Sequence, residues 1–149
     1  MASSHGHSDA TCPLCDAVAT APAAEIVADH GPWMALTMLD VPGWIRVTTK
    51  RHVEGPWSLS DEEAATLGPM LQAVAQAVHE ATGAERVYTV GLGEGAIHFH
   101  YALLPRLPGE TPLFTGAPLV GRAADAADVG KSSAVAARIR ASVAARELG

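Results

Sequence analysis

The run SLSDEEAATLGPMLQAVAQAVHEATGA, residues 58 to 84, is the strongest constraint on what this chain can become. Leu67, Met70, Leu71, Val74, Val78 and Ala81 recur at the helical period and define one long amphipathic helix. Ser60 followed three residues on by Glu63 reads as a capping box, and Gly83 as the C-terminal stop. Pro69 lies inside this run and is expected to bend it. A helix of this kind must bury its apolar stripe against something, and the flanking sequence offers strands. EIVAD (25–29), WMALTMLD (33–40) and WIRVTT (44–49) precede it, separated by the turns HGP and VPG; RVYTVGL (86–92) and AIHFHYALLP (96–105) follow it. Strands joined by short Pro/Gly turns pair antiparallel, so the expected fold is α+β, a five-stranded antiparallel sheet with one long helix.

The rest of the chain is read less directly. Residues 1–11 are polar and read as a flexible tail, 12–108 as the sheet-and-helix domain, and 109–149 as a C-terminal extension. Within that extension RLPGETPLFTGAPLVGRAADAADVG reads as loop, and SSAVAARIRASVAAREL as a helix capped by Ser132 or Ser133. That helix has a mostly alanine apolar face and is expected to bury little; its arginines 138, 140 and 146 read as a solvated face. The net charge of −6 and the lack of a Lys/Arg cluster exclude a broad nucleic-acid-binding face. No apolar run reaches the length of a membrane span and the N-terminus has no signal-peptide core, so the cytoplasm is the expected compartment.

Chemistry-bearing residues concentrate at three places. Cys12 and Cys15, the only cysteines, form CPLC. In a reducing compartment this spacing means metal binding or redox chemistry before a disulfide. A redox pair belongs after a strand at a helix start, whereas CPLC precedes all predicted structure, which favours zinc. His52, just past the third strand, and His98, on the fifth, are the candidates to complete a tetrahedral Cys2His2 zinc (Zn2+) set. On the fifth strand His98, His100 and Ala102 share one face and Phe99, Tyr101 and Leu103 the other. Trp33, Trp44 and Trp57 read as core or rim, and His5, His7 and His79 as solvated.

The string His98-Phe-His100-Tyr-Ala102-Leu-Leu-Pro105-Arg106 resembles the strand of the histidine triad superfamily, in which three alternating histidines precede a Pro-Arg exit. The resemblance reaches back through VTTKRHVEGPWSLSDEE to CPLC and covers roughly residues 12 to 106. It implies a zinc site at Cys12, Cys15, His52 and His98, the same quartet that spacing suggests, and a homodimer. It also implies a nucleophile at His100, which attacks a phosphoanhydride or phosphoramidate and forms a nucleotidyl-imidazole intermediate. Main-chain donors at Gly93 and Gly95 would hold phosphate oxygens, and an acidic residue near Asp40 would hold a ribose. This sequence departs from the pattern in several places. Ala102 stands where the third triad histidine belongs, and Trp44 replaces another active-site histidine; both line the expected substrate site. The loop after Asp40 is shortened, and the asparagine usual before the glycine turn is missing.

Three functions remain open on these residues. The first is a nucleotidyl hydrolase or transferase acting through His100. The second is a zinc enzyme on the same scaffold, adapted to a non-nucleotide small molecule, with zinc as Lewis acid and His100 as acid or base. The third is a zinc-stabilised binding protein that has lost catalysis.

Overall fold

Alternation in the N-terminal half becomes three strands, β1 (Ile26–His30), β2 (Trp33–Thr37) and β3 (Ile45–Thr49). Beyond the long helix come β4 (Arg86–Val90) and β5 (His100–Arg106). These five strands form one antiparallel sheet in the order β1-β2-β3-β5-β4. The computed structural model that shows this describes residues 12–112, 119–146 and 148, and gives only the backbone of 119–122. The expected tail lies outside the described residues. Both strands flanking the helix therefore enter the same sheet, β5 slotting between β3 and β4, and the α+β expectation holds.

The helix, here α2, spans Asp61–Thr82 and continues unbroken through Pro69. Its N-terminus carries the full capping box: Glu63 N–H donates to Ser60 Oγ at 3.1 Å, and Ser60 N–H to Glu63 Oε2 at 2.9 Å. Gly83 stops it with φ +68, a left-handed conformation that side chains resist. Ser60→Ala is expected to cost about 1 kcal/mol in urea unfolding, because it leaves an orphan helix N–H without its acceptor. Met70, Val74 and Val78 of α2 pack on Trp33, Val47 and Leu103 of the sheet.

The ends of the chain differ from the sequence reading. CPLC does not precede all structure: it opens a helix, α1 (Pro13–Thr20), with Cys12 as N-cap and Pro13 at the first position. The alanine-proline run after it hid the period. The loop-like stretch after β5 contains a further helix, α3 (Leu119–Ala126). The last helix, α4, runs Val129–Ala144 and starts three residues earlier than expected. Its N-cap is Asp128, which accepts from Lys131 N–H, rather than Ser132 or Ser133.

Nor does α4 detach. Val135, Ala136, Ile139 and Val143 are buried in the same core as α2 and the sheet. Its arginines tie it down. Arg140 donates to the carbonyls of Ile26, Ala23 and Ala24, Arg138 to Ala81 O, and Arg146 reaches Gln76 and Glu80. Small alanines let the helix approach closely, and the arginines supply the polar half of the contact.

The turn between β2 and β3 is tight. Leu39 and Asp40 both take positive φ, and Asp40 O accepts from Asp128 N–H at 2.8 Å. Gly43 (φ +80) is required by space: a Cβ there would lie 2.7 Å from Thr82 Cγ2 and 3.0 Å from Pro105 Cγ. This close approach clamps the start of β3 against the end of α2 and the exit of β5.

Candidate metal centre and the His100 face

Four donor residues converge where α1, the end of β3 and the approach to β5 meet. β5 begins at His100, so His98 lies two residues ahead of it rather than on it. The segment is still held in place, since Phe99 N–H donates to Val53 O at 2.6 Å and sets His98 alongside His52. The two imidazoles stand edge to face with centroids 5.2 Å apart. Cys12 Sγ is 3.3 Å from His98 Nδ1, and Cys15 Sγ is 3.3 Å from His52 Nδ1 and 3.4 Å from His98 Nδ1. One donor atom from each of Cys12, Cys15, His52 and His98 lies within 4.8 Å of every other. Cys12 and His98 are buried, and Cys15 and His52 partly so.

The second nitrogen of His98 explains its orientation. Nε2 lies 2.7 Å from Thr49 O, and only a protonated nitrogen can donate to a carbonyl. Nδ1 therefore carries its lone pair towards the two sulfurs, as a metal ligand must. Thr49, fully buried at the end of β3, orients this ring and was invisible in the sequence reading. Two sulfurs and two imidazole nitrogens at these separations form a donor set for a tetrahedral, borderline-soft metal ion.

The loop that carries His52 is anchored from its neighbour. Arg51 makes a two-pronged contact with Glu63, Nε to Oε1 at 2.9 Å and Nη2 to Oε2 at 3.0 Å, and also donates to Ser58 O. The capping glutamate of α2 thus also pins the metal loop. The Arg51 hydrogen bonds hold the Glu63 carboxyl below the ordinary glutamate range, against the opposing effect of burial, with the Ser60 N–H adding to them. A carboxyl with a lowered native pKa stabilises the fold above its unfolded value and loses that contribution as pH falls through the native one. Acidification is therefore expected to destabilise the parent from roughly pH 4.3 downwards, and Glu63→Gln less so, as read by urea midpoints at each pH.

His100 is not one of the clustered donors. Its Nδ1 is 2.7 Å from His98 O, so Nδ1–H donates there and Nε2 carries the lone pair. The ring is partly exposed. Its face of the sheet is set by register: Thr48 is opposite His100 and Arg46 opposite Ala102, while Ile45 and Val47 point to the helices. Trp44 and Ala102, expected to line a substrate site, are only 4% and 6% exposed. They pack with Val41, Leu104 and Ala123 of α3. Gly93 and Gly95 lie in the exposed turn before His98. Asp40 is exposed on the β2–β3 turn. A cavity of about 920 Å³ bordered by Pro42, Trp44, Pro105, Asp128, Lys131 and Arg138 opens at the far end of β5 and does not include His100. Of the other histidines and tryptophans, His79 and Trp57 are exposed and Trp33 is core.

No protein-family model matches the chain, and no curated protein sequence does. Solved structures do. A hypothetical histidine triad nucleotide-binding protein from Sulfolobus tokodaii shares 18% identity over 89% of this chain and 92% of its own, with a TM-score of 0.68. A zinc-bound histidine triad family protein from Mycobacterium smegmatis shares 18% over 92% and 96%, at 0.70. A Hit-like protein involved in cell-cycle regulation from Bartonella henselae shares 16% over 92% and 99%, at 0.71. The fold thus has structural counterparts despite low identity: this chain has the fold of the histidine triad proteins.

Proposed function

We propose that the chain is a zinc-stabilised hydrolase or transferase that acts on nucleotidyl phosphoanhydrides or phosphoramidates through His100. The observation that carries this reading is the Nδ1–H bond of His100 to His98 O, which holds the ring in the tautomer whose Nε2 is free and nucleophilic. Nε2 attacks phosphorus and forms a P–N bond as the bond to the leaving oxygen or nitrogen breaks. The leaving group takes up a proton. Water, or another acceptor, then attacks phosphorus, releases the nucleotide and restores the neutral imidazole.

Cys12, Cys15, His52 and His98 would hold the zinc, and a tetrahedral site of about 2.3 Å Zn–S and 2.0–2.1 Å Zn–N bonds suits their separations. Four protein donors fill the tetrahedron, so the ion would supply a cross-link rather than Lewis acidity, which counts against the zinc-catalysed alternative. Reduced cysteines as metal ligands suit a reducing compartment such as the cytoplasm. The partner expected by resemblance is a second copy of the chain.

One observation favours the binding-protein alternative: Trp44 and Ala102 are packed beneath Ala123 instead of lining an open site. Incubation with adenosine phosphoramidate and dinucleoside polyphosphates, followed by nucleotide chromatography and intact-mass analysis, separates the two. Release of the monophosphate with a transient nucleotidyl adduct supports the enzyme. Nucleotide binding without release, in metal-loaded protein, supports the binding protein.

A further inference from the structure

The face that holds His100 also holds an arginine whose Nε has no hydrogen-bond partner among the described residues. Arg46 sits in the middle of β3, between Ile45 and Val47, whose side chains enter the helix-side core. Alternation therefore turns it to the His100 side, where it is paired with Leu36 on β2 and with Ala102 on β5. His100 is its diagonal neighbour, and such neighbours lie about 7–8 Å apart, within reach of a long side chain. The Arg46 Nε is buried without a hydrogen-bond partner, and among the described residues no carboxylate pairs with its guanidinium. Burial lowers its pKa, with the charge of Glu25 opposing that only in part. Five other arginines of the chain (51, 106, 138, 140 and 146) each donate to at least one carbonyl or carboxylate, Arg106 doing so although its Nε is also buried without a partner. A buried guanidinium nitrogen without a partner is a cost to the fold that a bound anion would offset.

We propose that Arg46 is the core of an oxyanion site beside His100, which takes a phosphoryl group of the substrate on the strand position opposite Ala102. A guanidinium supplies the charge and the planar fork that phosphate oxygens match. The site deepens the nucleotidyl reading by naming the residue that holds the phosphoryl group. It rests on that reading only for the identity of the anion's carrier.

The test is titration of the metal-loaded protein with inorganic phosphate at constant ionic strength, followed by calorimetry and by the ¹⁵N–¹H signal of the Arg46 Nε–H. The parent is expected to show one saturable site that shifts this signal. Arg46→Met should weaken phosphate binding by at least about tenfold, with a Tm no lower than the parent's because an unpaired buried charge is gone. Arg46→Lys, which keeps charge but not the fork, should fall between them. Should the methionine variant fail to fold, Arg46→Gln carries the same expectation. Phosphate binding through Arg46 in a chain that turns over no nucleotide ends the nucleotidyl reading and leaves this site standing. Unchanged phosphate affinity in folded Arg46→Met, or no saturable site in the parent, overturns the proposal.

Discussion

Stripping the metal with a chelator under reducing conditions is expected to lower Tm by roughly 8–16 °C. The estimate comes from linkage. A ligand present at a thousandfold over its Kd stabilises the fold by about 4.1 kcal/mol, and a chain of this size moves about 2–4 °C per kcal/mol. The structure says where the loss falls. The four donors join three separate places: the start of α1, the loop after β3 and the approach to β5. The core of α2, α4 and the sheet contains none of the four donors. The apo chain should therefore keep its sheet and helix signals in far-UV circular dichroism, while amide exchange speeds up in α1 and around His52. Reductant matters, because the Cys12 and Cys15 thiols, which form no disulfide here, can otherwise oxidise to each other. Cys15→Ser should reproduce most of the effect without chelator. A Tm that stays put after metal analysis shows the ion to be gone would sink the structural role.

The same site shows why some of this molecule was readable from sequence and some was not. Cysteines and histidines are rare enough that spacing alone brought Cys12, Cys15, His52 and His98 forward, and the fold brings those four together. The capping box at Ser60 and Glu63 was legible because its chemistry is local. Helix α1 was not, because its weak alanine period adjoins prolines and its stability comes from packing and from the Cys12 cap. The alanine face of α4 looked weak for a related reason: close helix approach and the long-range bonds of Arg140 to Ala23, Ala24 and Ile26 cannot be read from composition. Thr49 and Arg46 are instructive in different ways. Nothing in the sequence marks Thr49 as the acceptor that orients His98. Arg46 did carry a signal, a lone charge in the alternating WIRVTT strand, but its lack of a partner emerges only from the folded sheet. Trp44 and Ala102 were noticed as departures from a pattern. That the two pack together with Ala123 required the tertiary structure.

His100→Ala is expected to reduce nucleotide turnover by at least about 10³-fold, roughly 4 kcal/mol in barrier height, while leaving metal content unchanged. The two histidines of this segment should separate cleanly. His98 is fully buried with Nδ1 towards the sulfurs, so His98→Ala should lose metal and lower Tm. Among the described residues His100 donates to the carbonyl of His98 and makes no other hydrogen bond, so its removal costs about 1 kcal/mol of stability from one hydrogen bond. A general acid or base acting through water would leave a residual rate that rises with added imidazole, and no nucleotidyl adduct in the parent. A nucleophile predicts the adduct in the parent and its absence in His100→Ala. The variant is therefore measured three ways: single-turnover rate, intact mass after a rapid quench, and metal stoichiometry. Turnover at the parental rate in His100→Ala, with the metal in place, would remove His100 from the chemistry.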